Sequence, residues 1–499
     1  MTTIVDNVPP VERLRSAVPG LDTILGGGFF RSGVYIIQGL PGCGKTILAN
    51  QVCYGHIAQG GAAVYVTLLA ESHSRMIQHL STLSFFDVKA FPDKLAYISA
   101  FHDLESNGLK GLMTVLRREM RTRRVGVLVL DGLVAASEAA PTDLDLKKFI
   151  HELQSIAVLQ DCTVLLLTSG NIQRMAAEHT MVDGLIELED KLFDARSERS
   201  IQVRKFRGAG PLRGKHALRI DNDGISVFPR IESLYRHTTL DATPGGPVAS
   251  GIASLDRLLA IGGIPRSSST VVVGSTGTGK TTMGIQFLAA STPEEPGLHL
   301  GFFEGPDRLR GKAASIGRPL EALEASGAIE LMWQSPGESM LDEIADRLLT
   351  AVSRRGVRRL VIDGLSGFLE SAVYPERVSR FFSCLANELR NRQVTVMMTL
   401  ETRDVVSSVV SMPWGISGLV DNLFFLRFVH DEGHVERLLT IIKMRDTDYH
   451  AGLRRLHIDG RGMHLAGVFA ADGDVIPSAQ PVSPPVAPPE SPVGGDAKA

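Results

Sequence analysis

The chain has 499 residues, with 52 Lys and Arg against 55 Asp and Glu, for a formal net charge of −3. That length accommodates two or three domains with full cores, and the near-neutral balance disfavours a nucleic-acid partner. No apolar run reaches transmembrane length, the N-terminus has no signal-peptide core, and the four cysteines (Cys43, Cys53, Cys162, Cys384) lack metal or redox spacing, so a cytoplasmic protein with no membrane attachment is expected.

In chain order, the first decisive element is the apolar run Val34-Tyr35-Ile36-Ile37, followed by Gly39-Leu40-Pro41-Gly42-Cys43-Gly44-Lys45-Thr46. This fits G-x-x-x-x-G-K-[ST], a loop that wraps backbone N–H groups around nucleotide phosphates. Gly39, Gly42, Gly44, Lys45 and Thr46 are the expected ATP-binding residues. Lys45 is expected to reach the β- and γ-phosphates, and Thr46 to supply a hydroxyl to Mg²⁺.

Apolar strand patterns follow at 63–68, 96–99, 125–130 and 163–168, alternating with helical patterns at 46–58, 109–121 and 144–159. Strands alternating with helices predict an α/β domain with a mainly parallel sheet and helices on both faces. Shorter β-like segments at 185–188, 200–205 and 217–220 predict an added antiparallel region. Asp131 ends an apolar strand, the position of a carboxylate that helps hold Mg²⁺. Glu71, just past the second strand, is the candidate for orienting the attacking water, with a helix-capping glutamate as the bland alternative.

The whole pattern then repeats. Thr270-Val271-Val272-Val273 leads into Gly274-Ser275-Thr276-Gly277-Thr278-Gly279-Lys280-Thr281, 235 positions after the first loop. Gly274, Gly277, Gly279, Lys280, Thr281 and Thr282 are the second expected ATP-binding set, with Thr281 and Asp363 as metal residues. Asp131-Gly132-Leu133 recurs as Asp363-Gly364-Leu365, Glu71 has its counterpart in Glu304, and Lys205-x-Arg207 recurs as Lys443-x-Arg445. Two cations on alternate strand positions share one face and suit a γ-phosphate, including one held by a neighbouring subunit; a charged edge strand is the alternative. The period is far too long for a solenoid. Residues 1–240 and 250–470 are therefore two copies of one nucleotide-binding domain, joined by a linker at 241–249 that holds Thr243-Pro244-Gly245-Gly246-Pro247. Arginines gather before each Asp strand (Arg117 to Arg124, Arg354 to Arg359) without interleaved aromatics, which reads as helix-end charge rather than a nucleic-acid surface. Residues 471–499 form a tail with seven prolines between Pro477 and Pro492, expected to be disordered; its P-x-x-P spacings could dock a protein partner.

With these residues in place, the chain resembles the KaiC-like ATPases of the RecA superfamily over residues 16–465. The resemblance rests on Pro19-Gly20-Leu21-Asp22 through Gly26-Gly27-Gly28, on its echo Ser250-Gly251-Ile252 through Gly262-Gly263-Ile264-Pro265, on Lys205-Phe206-Arg207-Gly208, and on Ile442-Lys443-Met444-Arg445-Asp446 after Asp421-Asn422. It implies two tandem RecA-like P-loop NTPase domains, a homohexamer of two stacked rings, and ATP at subunit interfaces. Lys205, Arg207, Lys443 and Arg445 would then reach the neighbour's γ-phosphate. The family includes the cyanobacterial clock ATPase, which phosphorylates itself on adjacent Ser and Thr residues of its second domain. Here Ser417 stands at the serine position and Gly418 at the threonine. The family's paired glutamates are reduced to Ala70-Glu71 and Glu304-Gly305, and the family's partner-binding tail is not matched. A hexameric signalling ATPase with a serine/threonine autokinase activity is the leading expectation; a DNA-handling motor and a non-catalytic ATP-assembled scaffold are the alternatives.

Overall fold

The computed structural model describes residues 12–68, 73–169, 180–193, 195–235, 246–337, 339–402, 418, 420–431 and 433–469. Glu71, Ser417, most of the linker and the Pro-rich tail lie outside them.

The first half contains β1 (Arg13–Leu14), β2 (Phe29–Phe30), β3 (Val34–Gln38), β4 (Ala63–Thr67), β5 (Leu95–Ser99), β6 (Val127–Asp131), β7 (Thr163–Thr168), β8 (Gly184–Phe193), β9 (Arg196–Phe206), β10 (Lys215–Asp221) and β11 (Gly224–Phe228). Nine of them form one sheet in the order β11-β10-β9-β8-β3-β7-β6-β4-β5. The second half repeats this with β12 (Pro247–Val248), β13 (Ile264–Pro265), β14 (Ser269–Gly274), β15 (Gly297–Gly301), β16 (Ile329–Trp333), β17 (Arg359–Asp363), β18 (Thr395–Glu401), β19 (Asn422–Asp431), β20 (His434–Lys443), β21 (Arg454–Asp459) and β22 (Gly462–Val468). Its sheet runs β16-β15-β17-β18-β14-β19-β20-β21-β22, the same topology strand for strand. In each sheet six strands are parallel and the last three antiparallel. These are two tandem RecA-like domains.

The central parallel strands β3, β4, β6, β7, β14, β17 and β18 carry buried apolar runs because helices cover both faces. In β3 the alternation divides the core: Val34 and Ile36 pack into one cluster, Tyr35 and Ile37 into the other. In β14, Val271 and Val273 face one cluster and Val272 the opposite one. The expected antiparallel extension is present in both domains, and longer than its apolar residues suggest. β8 continues through Glu189, Asp190 and Lys191 because these charges are paired, Asp190 with Arg199 of β9 at 3.1 Å, Glu189 with Lys215 of β10, and Lys191 with Glu189 on the same strand at 2.8 Å.

The domains meet through the extension of the first and the helices of the second. Arg377 donates to both oxygens of Glu232 (3.0 and 2.8 Å) and both oxygens of Asp342 (3.0 and 2.9 Å). Arg219 pairs with the buried Glu343, and Arg196 donates to the Ser339 carbonyl at 3.0 Å. Ile231, in the short helix Ile231–Leu234, packs into the core of the second domain. Pro247 and Val248, within the sequence-expected linker, form a strand paired to β13 of the second domain.

Candidate nucleotide sites

Each phosphate loop bridges a buried strand and a helix. β3 leads to the helix Lys45–Ala58, and β14 to the helix Lys280–Ala289. Gly44 and Gly279 occupy the N-cap positions with φ 103° and 107°, a left-handed conformation that an L side chain resists. The first glycines are required for a different reason: a Cβ at Gly39 would lie 2.4 Å from the Leu188 carbonyl, and one at Gly274 would lie 2.5 Å from the Leu426 carbonyl. Both loops therefore need glycine at the same two places, and for the same physical causes.

The lysines are held against their own loops. Lys45 Nζ donates to the carbonyls of Gly39 (2.8 Å) and Leu40 (2.9 Å), and Lys280 Nζ to that of Ser275 (2.8 Å). Burial pulls the Lys280 pKa down, while the charges of Glu401 and Asp363 push it back up. Thr46 Oγ1 stands 3.5 Å from Asp131 Oδ2, and Thr281 Oγ1 stands 3.3 Å from Asp363 Oδ1. A hydroxyl and a carboxylate converging at the mouth of a P-loop are hard oxygen donors, the set that suits Mg²⁺. The parallel register causes this convergence: Asp131 and Asp363 end β6 and β17, one strand removed from β3 and β14 across β7 and β18.

Around each loop lies a pocket, of about 610 Å³ in the first domain and about 460 Å³ in the second. The first is lined by Lys45, Thr46 and Asp131, the second by Lys280, Thr281, Thr282, Glu304 and Asp363. These sequence-predicted residues thus share one cavity in each copy. Glu304 follows β15 and lines the pocket; its Oε2 is buried without a hydrogen-bond partner among the described residues, and Arg308 and Lys312 stand 3.9 and 3.8 Å from Oε1. Cys43, inside the first loop, is buried and its thiol pKa is raised by that burial, despite Lys45. It reads as an inert packing thiol.

The K-x-R cations lie elsewhere. Lys205 Nζ donates to the Thr180 carbonyl at 2.8 Å, which Arg207 Nη2 shares at 3.0 Å. Lys443 Nζ donates to Val420 O at 2.7 Å, and Arg445 Nη2 to Gly418 O at 3.3 Å. None of the four is among the described residues lining the pocket of its own chain. Members of both arginine clusters are committed within the fold: Arg117 to Glu152 (2.5 Å), Arg123 to Glu119 (3.1 Å), Arg354 to Glu330 (2.9 Å) and Arg359 to the Ala249 carbonyl (2.7 Å).

Several site residues escaped the motif reading. Tyr65 of β4 donates to Asp131 Oδ2 at 2.6 Å, and Thr399 of β18 to Asp363 Oδ1 at 2.6 Å. His299 takes the place of Tyr65 in the second copy: Thr67 pairs with Asp131 and Gly301 with Asp363, which puts both residues two positions earlier on the same face. His299 is buried, its Nε2 has no hydrogen-bond partner among the described residues, and burial lowers its pKa against the pull of Asp363. Arg437 reaches the Gly277 carbonyl at 3.2 Å. The strand register would have revealed Tyr65 and His299; the sequence alone does not give that register.

Two stretches, residues 14–232 and 248–467, match the family model described as ATPase: KaiC. The chain belongs to the KaiC ATPase family. Membership implies an ATP-binding protein and accounts for two equivalent P-loop sites in one chain. Among its relatives, the circadian clock oscillator protein KaiC of Picosynechococcus sp. is 25% identical over 473 residues, 92% of this chain and 90% of the relative. The circadian clock oscillator protein KaiC 1 of Synechocystis sp. is 24% identical over 473 residues, covering 92% and 90%. The circadian clock protein KaiC3 of Synechocystis sp. is 24% identical over 479 residues, covering 92% of each chain. No helix among the described residues is long and apolar enough to cross a membrane.

Proposed function

We propose that this protein hydrolyses ATP with Mg²⁺ at both P-loops, working as a homohexameric cytoplasmic ATPase that reports its nucleotide state to a regulatory protein partner. The observation that carries the reading is the convergence of lysine, threonine and aspartate in one pocket in each domain. Lys45 and Lys280 leave their carbonyl partners for the β- and γ-phosphates, and the glycine loops supply N–H donors. Thr46 with Asp131, and Thr281 with Asp363, hold Mg²⁺, which neutralises phosphate charge when bound. Glu304 accepts a hydrogen bond from the attacking water through its unpartnered Oε2; Glu71 takes this role in the first domain. Lys205 and Arg207, with Lys443 and Arg445, act on the γ-phosphate of the neighbouring subunit. Their position away from their own pockets supports that role in trans. The Pro-rich tail is the proposed partner-docking segment.

The same Glu304 carboxylate suits proton removal from a serine hydroxyl. Autophosphorylation at Ser417 of a neighbouring subunit is accordingly the second reading, a serine/threonine-kinase activity limited to one site per chain by Gly418.

Counting bound nucleotide tests the sites. The wild type is expected to bind two nucleotides per chain, and the Lys45→Ala and Lys280→Ala variants one each. Undiminished binding in either variant would remove that loop from the proposal.

A further inference from the structure

The two phosphate loops differ at their third position. The first carries Pro41 and the second Thr276. Thr276 Oγ1 donates a hydrogen bond to Glu401 Oε1. Glu401 is the last residue of β18, placed by the parallel register beside Gly274, the first residue of the loop. In the first domain Gln38 pairs with Thr168, so the residue beside Gly39 is Ser169, which lines the first pocket as Glu401 lines the second. The first loop therefore has neither half of the pair: Pro41 offers no N–H or hydroxyl, and Ser169 carries no charge.

This places an additional carboxylate in the second pocket, besides Asp363 and Glu304. Glu401 is exposed and lines the same pocket as Lys280. A P-loop lysine serves the β- and γ-phosphates. A carboxylate that lines the pocket of this lysine and bonds the third loop residue adds negative charge to the cavity that would receive the phosphates.

We propose that Glu401, held by Thr276, is the positioning residue by which the second site discriminates against ATP relative to ADP, a bias the first site lacks. The γ-phosphate brings additional negative charge toward the Glu401 carboxylate, whereas ADP leaves that region to the Thr276–Glu401 pair. The two loops of one chain would then differ in nucleotide occupancy at the same ATP and ADP concentrations. The inference rests on the reading that both loops bind nucleotide.

The test uses the full-length chain carrying Lys45→Ala, so that only the second loop binds, titrated with Mg²⁺ and either ADP or an ATP analogue whose β–γ bridge resists hydrolysis. Glu401→Gln is expected to raise the ratio of triphosphate to diphosphate affinity by roughly tenfold, the effect of one charge at partly screened close range. Glu401→Asp, which keeps the charge, is expected to restore most of the discrimination. The reciprocal transplant, Pro41→Thr with Ser169→Glu in a Lys280→Ala chain, is expected to lower the ratio at the first site by a similar factor. It decides the matter if Glu401→Gln fails to fold. Equal weakening of both nucleotides in Glu401→Gln, with no change at the first site in the transplant, would show that the pair only shapes the loop and would overturn the proposal. Failure of the Lys45→Ala chain to bind either nucleotide would instead overturn the nucleotide reading of the second loop, and this inference with it.

Discussion

The Tyr65 hydroxyl donates a 2.6 Å hydrogen bond to the Asp131 carboxylate, which also faces Thr46 at 3.5 Å. Tyr65 is fully buried between β5 and β6, and burial beside Asp131 raises its pKa far out of the physiological range, so the hydroxyl keeps the proton that it donates. The second copy fills the same place with His299 and takes its donor from Thr399 instead. The two domains thus share a topology while orienting the equivalent aspartate from opposite neighbouring strands.

Tyr65→Phe removes that donor and retains the ring. A hydrogen bond to a charged group contributes about 1.5 to 3 kcal/mol, so local stability of β4 and β6 should fall by about that amount. Hydrogen exchange should report faster opening of those strands with unchanged protection in β15 and β17. Equal protection in mutant and wild type would show that the hydroxyl has no such role.

Arg377 joins the domains by serving Glu232 of the first and Asp342 of the second. Asp342 is 3% exposed, so losing the guanidinium leaves a buried carboxylate without its cation. Arg377→Met is expected to cost about 3 kcal/mol, within the range for breaking a buried pair. Denaturant unfolding should then separate into two transitions as the domains lose their coupling. A single transition at the wild-type midpoint would argue against Arg377 as the joint.

His216 sets a pH dependence. Its Nδ1 accepts from the Arg230 N–H and its Nε2–H donates to the Leu212 carbonyl, both at 3.0 Å, an arrangement only the neutral ring permits. Burial lowers its pKa from 6.5 to about 4, although the Leu212 hydrogen bond opposes the shift. Between those values the unfolded chain binds more protons than the folded one, so stability is retained above pH 6.5 and lost as the pH falls toward 4. The loss amounts to about 3 kcal/mol. His216→Gln should flatten that part of the stability profile; an unaltered slope would assign it to other groups.

Glu304→Gln keeps size and hydrogen-bonding capacity while removing the base. In a Lys45→Ala background, phosphate release should fall by at least roughly 100-fold, with nucleotide affinity little changed. Turnover at the parent rate would exclude Glu304 as the water-orienting group.

Much of this architecture is legible in the residues. The central parallel strands carry apolar runs, and the P-loops and strand-end aspartates carry their spacing with them. The repeat offset reveals the duplication because each match supports the others. The extensions were harder to delimit. β11 follows the hairpin turn Asn222-Asp223 and ends a run of Asp and Gly that signals such a turn, yet its alternation of apolar and polar residues spans only five positions. β8 runs on through Glu189 and Asp190, whose partners lie on β10 and β9. Tyr65, Thr399 and Glu401 become site residues only through strand register. Arg377, Glu232 and Asp342 lie far apart in the chain, and no local pattern anticipates their meeting at one joint.

Both P-loops are expected to turn over ATP. The most direct measurement incubates the wild type, Lys45→Ala and Lys280→Ala proteins with Mg²⁺ and ATP labelled in its γ-phosphate, following label in free phosphate and on protein. The expected result is free phosphate from the wild type and a reduced amount from each variant, with any protein-bound label confined to Ser417 and abolished by Glu304→Gln. A wild-type protein that retains ATP and releases no phosphate would contradict it and leave a ring that nucleotide only assembles.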